Sequence, residues 1–353
     1  MDSRKKKILV VDDSALMRRI VCDIIALDDR FCVQDMAANG IEAVALLKQN
    51  TYDAVILDVV MPKLDGIGVL MQIKELGIDT TVVMYSTATT EGAATTIKAL
   101  ELGAVDFIHK PSTIMGAKTE SFMERFLSIL ECAVEQNEAK QERSGHVRVS
   151  EKVKMPVTEG DSRKIVAIAS STGGPKALQE VIPYLPADLD APVLVVQHMP
   201  EGFTASLAQR LDELSPLTVQ EAEDGMEICK GNVYLARGGK HMEVAVRKGK
   251  HYLVLKDGPT REGVRPCANF MFETLGTSEY DSIVCVVLTG MGADGTQGIL
   301  NLSKQKDIHV IAQNQETCAV FGMPRSIVAT GMADRIEPLD NIASAIILNA
   351  GVQ

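Results

Sequence analysis

The feature that most constrains this chain is a rhythm that occurs twice. Short, unbroken apolar runs alternate with amphipathic helical stripes, first from Lys7 to about Glu138 and again from Lys164 onward. Continuous apolar strands separated by helices describe parallel sheets covered on both faces, because parallel strands need long crossover connections. In the first half the strands are Lys7 to Val11, Asp53 to Leu57, Thr81 to Tyr85 and Asp106 to His109. Helices are read at Ser14 to Leu27 (with Ser14 as N-cap), Gly40 to Lys48, Gly92 to Glu101 and Thr119 to Glu138.

From Glu138 to Arg163 the periodicity collapses into Glu, Lys, Arg, Gln and Ser. A chain of 353 residues exceeds the comfortable size of one core. We therefore expect a domain over residues 1–134, a linker over 135–163 and a second domain over 164–353. The second half carries strands at Ile165 to Ala169, Pro192 to Gln197, Ile283 to Thr289 and Ile308 to Ala312. Its helices are read at Lys176 to Ile182, Thr204 to Leu214, Thr296 to Gln305 and Asn341 to Asn349. Between Gly231 and Asp257 the pattern shifts to short alternating runs, with a hairpin turn at Lys248 to Lys250. The expected fold class is α/β: a doubly wound (βα)5 domain, then a doubly wound parallel α/β domain with a β-hairpin insertion.

A net charge of −11 argues against a nucleic-acid partner. Seven cysteines without CxxC spacing suggest reduced thiols, and no apolar run reaches membrane-spanning length. A cytoplasmic location without membrane insertion is the expectation.

Asp12 and Asp13 end the first strand and Asp58 ends the run DAVILD. Ligand sites of parallel α/β sheets lie beyond the carboxyl ends of the strands, so these carboxylates should meet. Like charges in one pocket call for a cation, and oxygen ligands suit Mg2+. A carboxylate beside Mg2+ can attack phosphorus, and Ser86 and Lys110, at the ends of two further strands, could hold the new phosphoryl oxygens. Pro111 is a candidate cis-proline that would present Lys110.

In the second half, IASSTGGP leads from a strand into a helix. Such a turn can lift a serine hydroxyl out of the sheet and aim backbone N–H groups at a developing oxyanion, or it can bind phosphate. Ser170 and Ser171 compete for the nucleophile. His198 closes a strand at its carboxyl end, with His241 as runner-up, and Asp294 lies in the loop TGMGADG after another strand. Serine, base and orienting acid thus stand at three strand ends.

The segments VVDDSALMRR, LDVVMPKLDG, MYSTAT and ALELGAVDFIHKP resemble the signatures of response-regulator receiver domains. That resemblance implies Asp58 as phosphoacceptor, Mg2+ held by Asp12, Asp13, Asp58 and the Val60 carbonyl, and Ser86 and Phe107 as switch residues. Tyr85 departs from the family's usual aliphatic residue. IASSTGGPKAL, VVQHMPEGFTASLAQRL, YLARGGKHME, LTGMGADGTQG and IAQNQETCAVFGMPR resemble the CheB family of chemotaxis protein-glutamate methylesterases. The resemblance implies Ser171 as nucleophile, His198 as base, Asp294 as acid, Met291 as oxyanion donor and Thr172 in the active-site turn. Its implied partners are methyl-accepting chemoreceptors as substrate and a chemotaxis histidine kinase as phosphodonor; no cofactor is implied in the hydrolase half. It further implies deamidation of glutamines, and a receiver that inhibits until Asp58 is phosphorylated. Ala169, Val264 and Asn269 depart from the family's usual Gly, His and Asp. A receiver with a non-enzymatic output and an esterase for small molecules are the competing readings.

Overall fold

The computed structural model describes residues 5–87, 89–111, 113–142 and 163–352. The chain divides into two compact units, residues 1–150 and 151–353.

In the first unit the strands are β1 (Lys6–Val11), β2 (Phe31–Ala37), β3 (Ala54–Asp58), β4 (Thr81–Ser86) and β5 (Asp106–His109). The helices are α1 (Ala15–Ile25), α2 (Gly40–Gln49), α3 (Gly66–Glu75), α4 (Thr90–Glu101), α5 (Ile114–Ala117) and α6 (Glu120–Glu142). The strands form one parallel sheet in the order β2-β1-β3-β4-β5. Ile8, Leu9, Val10 and Val11 are all buried, as expected of a strand covered on both faces. Helix starts are fixed locally. Ser14 Oγ accepts the Met17 N–H, and Asn39 Oδ1 accepts the Glu42 N–H while Glu42 reaches back to the Ala38 N–H.

Two expectations need correction here. Helix α6 ends at Glu142 and not at the expected Glu138, so the helical start of the expected linker spans residues 135–142. The buried stripe explains this: after Ala133 and Val134 it continues past residue 134 at Asn137. The rest of the linker up to residue 162 lies outside the described residues. The Lys110–Pro111 peptide is not cis; among the described residues the cis peptide is Arg265–Pro266. Lys110 is held by its own N–H, which donates to Ser86 O at 2.6 Å, and by ion pairs.

The second unit contains β6 (Lys164–Ser170), α7 (Gly174–Val181), β7 (Val193–Gln197), α8 (Phe203–Leu214), β8 (Thr218–Glu221), β9 (Asn232–Leu235), β10 (His241–Arg247) and β11 (Lys250–Lys256). It continues with α9 (Ala268–Leu275), β12 (Ser282–Val287), α10 (Thr296–Leu302), β13 (Ile308–Gln313), α11 (Met323–Ala329), β14 (Arg335–Glu337) and α12 (Leu339–Ala350). Its main sheet is parallel, in the order β14-β13-β12-β6-β7-β9-β8. Strands β10 and β11 form the expected hairpin, closed by Lys248 and Gly249 at φ 51° and 75°. Two positive φ values in a two-residue loop match the twist of the flanking strands. The hairpin's inner residues Met242, Val244 and Leu253 join the core around Met271, Phe272 and Leu275 of α9. Full burial of side chains such as Phe272 and Leu275 contributes about 1.5–3 kcal/mol each.

Both sheets reverse strand order next to their first strand. The switch point lies between β1 and β3 in one unit and between β6 and β12 in the other. Loops on either side of such a crevice diverge and leave room for a ligand.

Candidate active sites

In the first unit Asp12 follows β1 and Asp58 closes β3, across that crevice. Carboxylate oxygens of Asp12, Asp13 and Asp58 lie within 4.8 Å of one another; Asp12 and Asp58 are buried and Asp13 is exposed. Lys110 Nζ stands 2.7 Å from both Asp12 Oδ2 and Asp58 Oδ2. Burial pushes the Asp58 carboxyl up to about 6, although the Lys110 ammonium opposes the shift. A carboxylate trio, two members buried and one exposed, that offers only oxygen donors fits a hard divalent cation such as Mg2+. The Val60 N–H donates to Asp58 Oδ1 at 3.4 Å. Ser86 is buried, and its hydroxyl donates toward Gly92 O at the start of α4, at 3.4 Å. Phe107 is likewise buried.

Tyr85, the residue that departs from the receiver pattern, is fully buried beneath Lys110, whose Nζ lies 5.1 Å from the ring centroid. Its ring meets Phe126 of α6 edge-on at 6.3 Å. Extra bulk at this position thus fills the sheet–helix interface.

In the second unit the pairing of Ser170 with Gln197 in β6 and β7 sets Ser171 and His198 one step beyond, at adjacent strand ends. The two serines differ. Ser170 is fully buried and its hydroxyl donates to Gln197 Oε1 at 2.7 Å. Ser171 lies half-buried in the turn before α7, where its carbonyl accepts from Gly174 N and from Gln197 Nε2. Gly173, at φ 74°, makes this turn possible, and a Cβ there would lie 2.3 Å from that of Ala319.

Asp294, past β12, is buried, and its Oδ2 lies 2.8 Å from His198 Nε2. Oδ2 also accepts from Ala268 N at 2.6 Å, and Oδ1 accepts from Asn269 N, Gly295 N and Cys267 Sγ. Burial alone would raise its pKa, but the imidazole and the other donors outweigh burial and bring the carboxyl down to about 2. An ionised carboxylate only accepts, so His198 carries its proton on Nε2 and leaves Nδ1 as the basic nitrogen.

The loop before Asp294 lies against the serine. A Cβ on Gly290 would stand 2.7 Å from Ser171 Cβ and 2.5 Å from the Met323 sulfur. Gly290 O accepts from Gly322 N and Met323 N, which fixes the backbone leading into Met291. The Thr172 carbonyl accepts from Thr289 Oγ1 at 3.0 Å. His241 is buried elsewhere, with Nε2 2.9 Å from Pro259 O and its ring against Phe270.

Residues the sequence did not single out complete the site. Gln197 distinguishes the two serines, and Cys267 contacts the acid. Helix α9 carries apolar residues at 268, 271, 272 and 275, a helical spacing that could have revealed it. The departures have structural settings. Ala169 occupies an ordinary strand position in β6, and Val264 pairs with Arg261 in a small turn. Asn269 accepts from Gly295 N and Gly298 N and donates to Glu262 Oε1.

Among the described residues no helix is long and apolar enough to cross a membrane. Residues 8–116 match the response regulator receiver domain family, and residues 166–346 match the CheB methylesterase family. A protein-glutamate methylesterase/protein-glutamine glutaminase of Syntrophomonas wolfei is 42% identical over 97% of this chain and 99% of its own length. The protein of the same name from Bacillus subtilis is 39% identical, over 96% of this chain and 97% of its own. The crystal structure of the Thermotoga maritima CheB methylesterase catalytic domain covers 53% of this chain and 98% of its own, with 45% identity and a TM-score of 0.51. On both units and at these identities, the chain belongs to the CheB methylesterase family, joined to a response regulator receiver domain.

Proposed function

We propose that this enzyme hydrolyses glutamyl γ-methyl esters, and deamidates glutamines, on chemoreceptors, at a rate raised by phosphorylation of Asp58 from a chemotaxis histidine kinase. The observation that carries the hydrolytic half is the 2.8 Å His198–Asp294 contact beside Ser171 at the switch point of the sheet.

His198 Nδ1 takes the Ser171 proton as Oγ attacks the ester carbonyl. Ionised Asp294 holds the imidazole by Nε2–H and stabilises the imidazolium. The tetrahedral oxyanion is met by backbone N–H groups, among which we assign Met291, while Thr172 shapes the turn. The intermediate expels methanol, or ammonia from an amide, which takes the proton from His198. Water, deprotonated by His198, then attacks the acyl-serine carbonyl; glutamate leaves and Ser171 recovers its proton.

In the receiver, Asp12, Asp13 and Asp58 would hold Mg2+, with the Val60 carbonyl as a further ligand. Bound Mg2+ supplies charge neutralisation for the incoming phosphoryl group. Asp58 Oδ attacks phosphorus as the P–N bond of the kinase's phosphohistidine breaks and the imidazole leaves, and Lys110, with Ser86 as switch hydroxyl, pairs with the transferred oxygens. The domain reading is receiver, linker and hydrolase, with the receiver extended through α6. Methanol release from methylated receptor membranes tests the hydrolytic half. Wild type should release methanol and Ser171→Ala should not; equal rates would refute the assignment.

A further inference from the structure

Helix α9 begins without a capping side chain. Its N-cap is Cys267, a residue type outside the usual Ser, Thr, Asp and Asn, and it makes no side-chain bond to the helix backbone. The first-turn N–H groups of Ala268 and Asn269 donate instead to Asp294, on different oxygens, at 2.6 and 3.0 Å. The cap of α9 is therefore the carboxylate of another loop, and Cys267 is free to serve that carboxylate. Its Sγ lies 3.0 Å from Asp294 Oδ1.

The chemistry of this contact runs one way. Cys267 is fully buried, and burial together with the adjacent Asp294 charge pushes its pKa up, so it stays a thiol. A thiol has one proton to give, and an ionised carboxylate can only accept it. The S–H joins Asn269 N and Gly295 N on Oδ1, while Oδ2 is shared by Ala268 N and His198 Nε2. Rotation of the carboxyl group would break bonds on both oxygens.

We propose that Cys267 is a positioning residue for the triad acid, its thiol fixing Oδ1 of Asp294 so that Oδ2 is presented to His198. This rests on the reading of Asp294 as the triad acid. Besides His198 and Cys267, the charged groups that face this cluster include Glu273 of α9, which feels the Asp294 charge and is paired with Arg261 at 2.7 Å, and Glu262, held by Asn269. Neither contact is made by Cys267 Sγ, so a change in the pH profile on removing the thiol is assigned to the thiol.

The test is methyl-ester hydrolysis by the full-length protein, followed against pH for Cys267→Ala and Cys267→Ser. Cys267→Ala should lower kcat about ten-fold, the size expected when a buried charge loses one donor, with KM unchanged. Its acid limb should move to higher pH, because a carboxylate relieved of one donor holds the Nε2 proton harder and favours the imidazolium. Cys267→Ser restores a donor and should restore both. Wild-type kcat and pH limb in Cys267→Ala would overturn the proposal, as would equal losses in the two variants. Should Cys267→Ala fail to fold, Cys267→Ser decides: a limb at or below the wild-type position supports the proposal, and one above it overturns it. Ser171→Ala and Asp294→Asn in the same assay report on the triad itself. Activity there would bring down the parent reading, whereas their inactivity with an unaffected Cys267→Ala would bring down this proposal alone.

Discussion

Ser170 Oγ lies 2.7 Å from Gln197 Oε1, and this bond separates two adjacent serines that look equivalent in sequence. Ser170 is fully buried and committed as a donor; Ser171, one residue on, is half-buried at the strand end adjacent to that of His198.

The pair gives a contrast measurable in one experiment. Ser171→Ala should lose at least about a thousand-fold in kcat, as loss of an activated nucleophile does. Ser170→Ala should keep most activity and lose about 1–3 kcal/mol of stability, because Gln197 Oε1 is left buried without its donor. Denaturant unfolding and ester hydrolysis on both variants check this.

Asp294 makes a prediction in pH. Its folded pKa of about 2 lies below the ordinary 3.8, so its ionised form stabilises the fold above pH 4. That stabilisation, roughly 2 kcal/mol, is lost as pH falls from about 4 toward 2. Asp294→Asn should therefore be less stable than wild type at pH 7, with the gap closing in acid, as denaturant midpoints across pH would show.

Asp58 behaves in the opposite sense. With its folded pKa raised to about 6, ionisation costs the native state up to roughly 3 kcal/mol when no divalent cation is present. Asp58→Asn should then stabilise the protein above pH 6, and the gain should vanish as pH falls to about 4. Added Mg2+ should narrow the difference at neutral pH. Thermal unfolding with and without Mg2+ checks both statements.

Gly290 predicts a packing effect on catalysis. Gly290→Ala would drive a methyl group into Ser171 Cβ and the Met323 sulfur. Misplacement of the serine by about 1 Å should cost about a hundred-fold in kcat. Near-wild-type turnover in a folded Gly290→Ala protein would contradict the described contact of this loop with Ser171.

What the sequence revealed, and what it concealed, follows from where each signal resides. Strand ends were readable because fully buried parallel strands are unbroken apolar runs, and the acids that follow them must share one edge. The hairpin was readable from Lys248-Gly249. Strand β2 was not, because it is an edge strand and Gln34 and Asp35 interrupt its apolar run. Helix α9 was missed because it is eight residues long and its cap comes from Asp294, 26 residues beyond its first residue. The choice between Ser170 and Ser171, and the ring nitrogen that faces Asp294, depend on contacts across strands that no local pattern encodes.

The most direct measurement of the central claim, that the receiver governs the hydrolase, is methanol release from methylated receptor membranes with and without a phosphodonor. Wild type should accelerate when the donor and Mg2+ are added, and Asp58→Asn should stay at its basal rate. An equal response in the two proteins, or none in wild type phosphorylated at Asp58, would contradict the account.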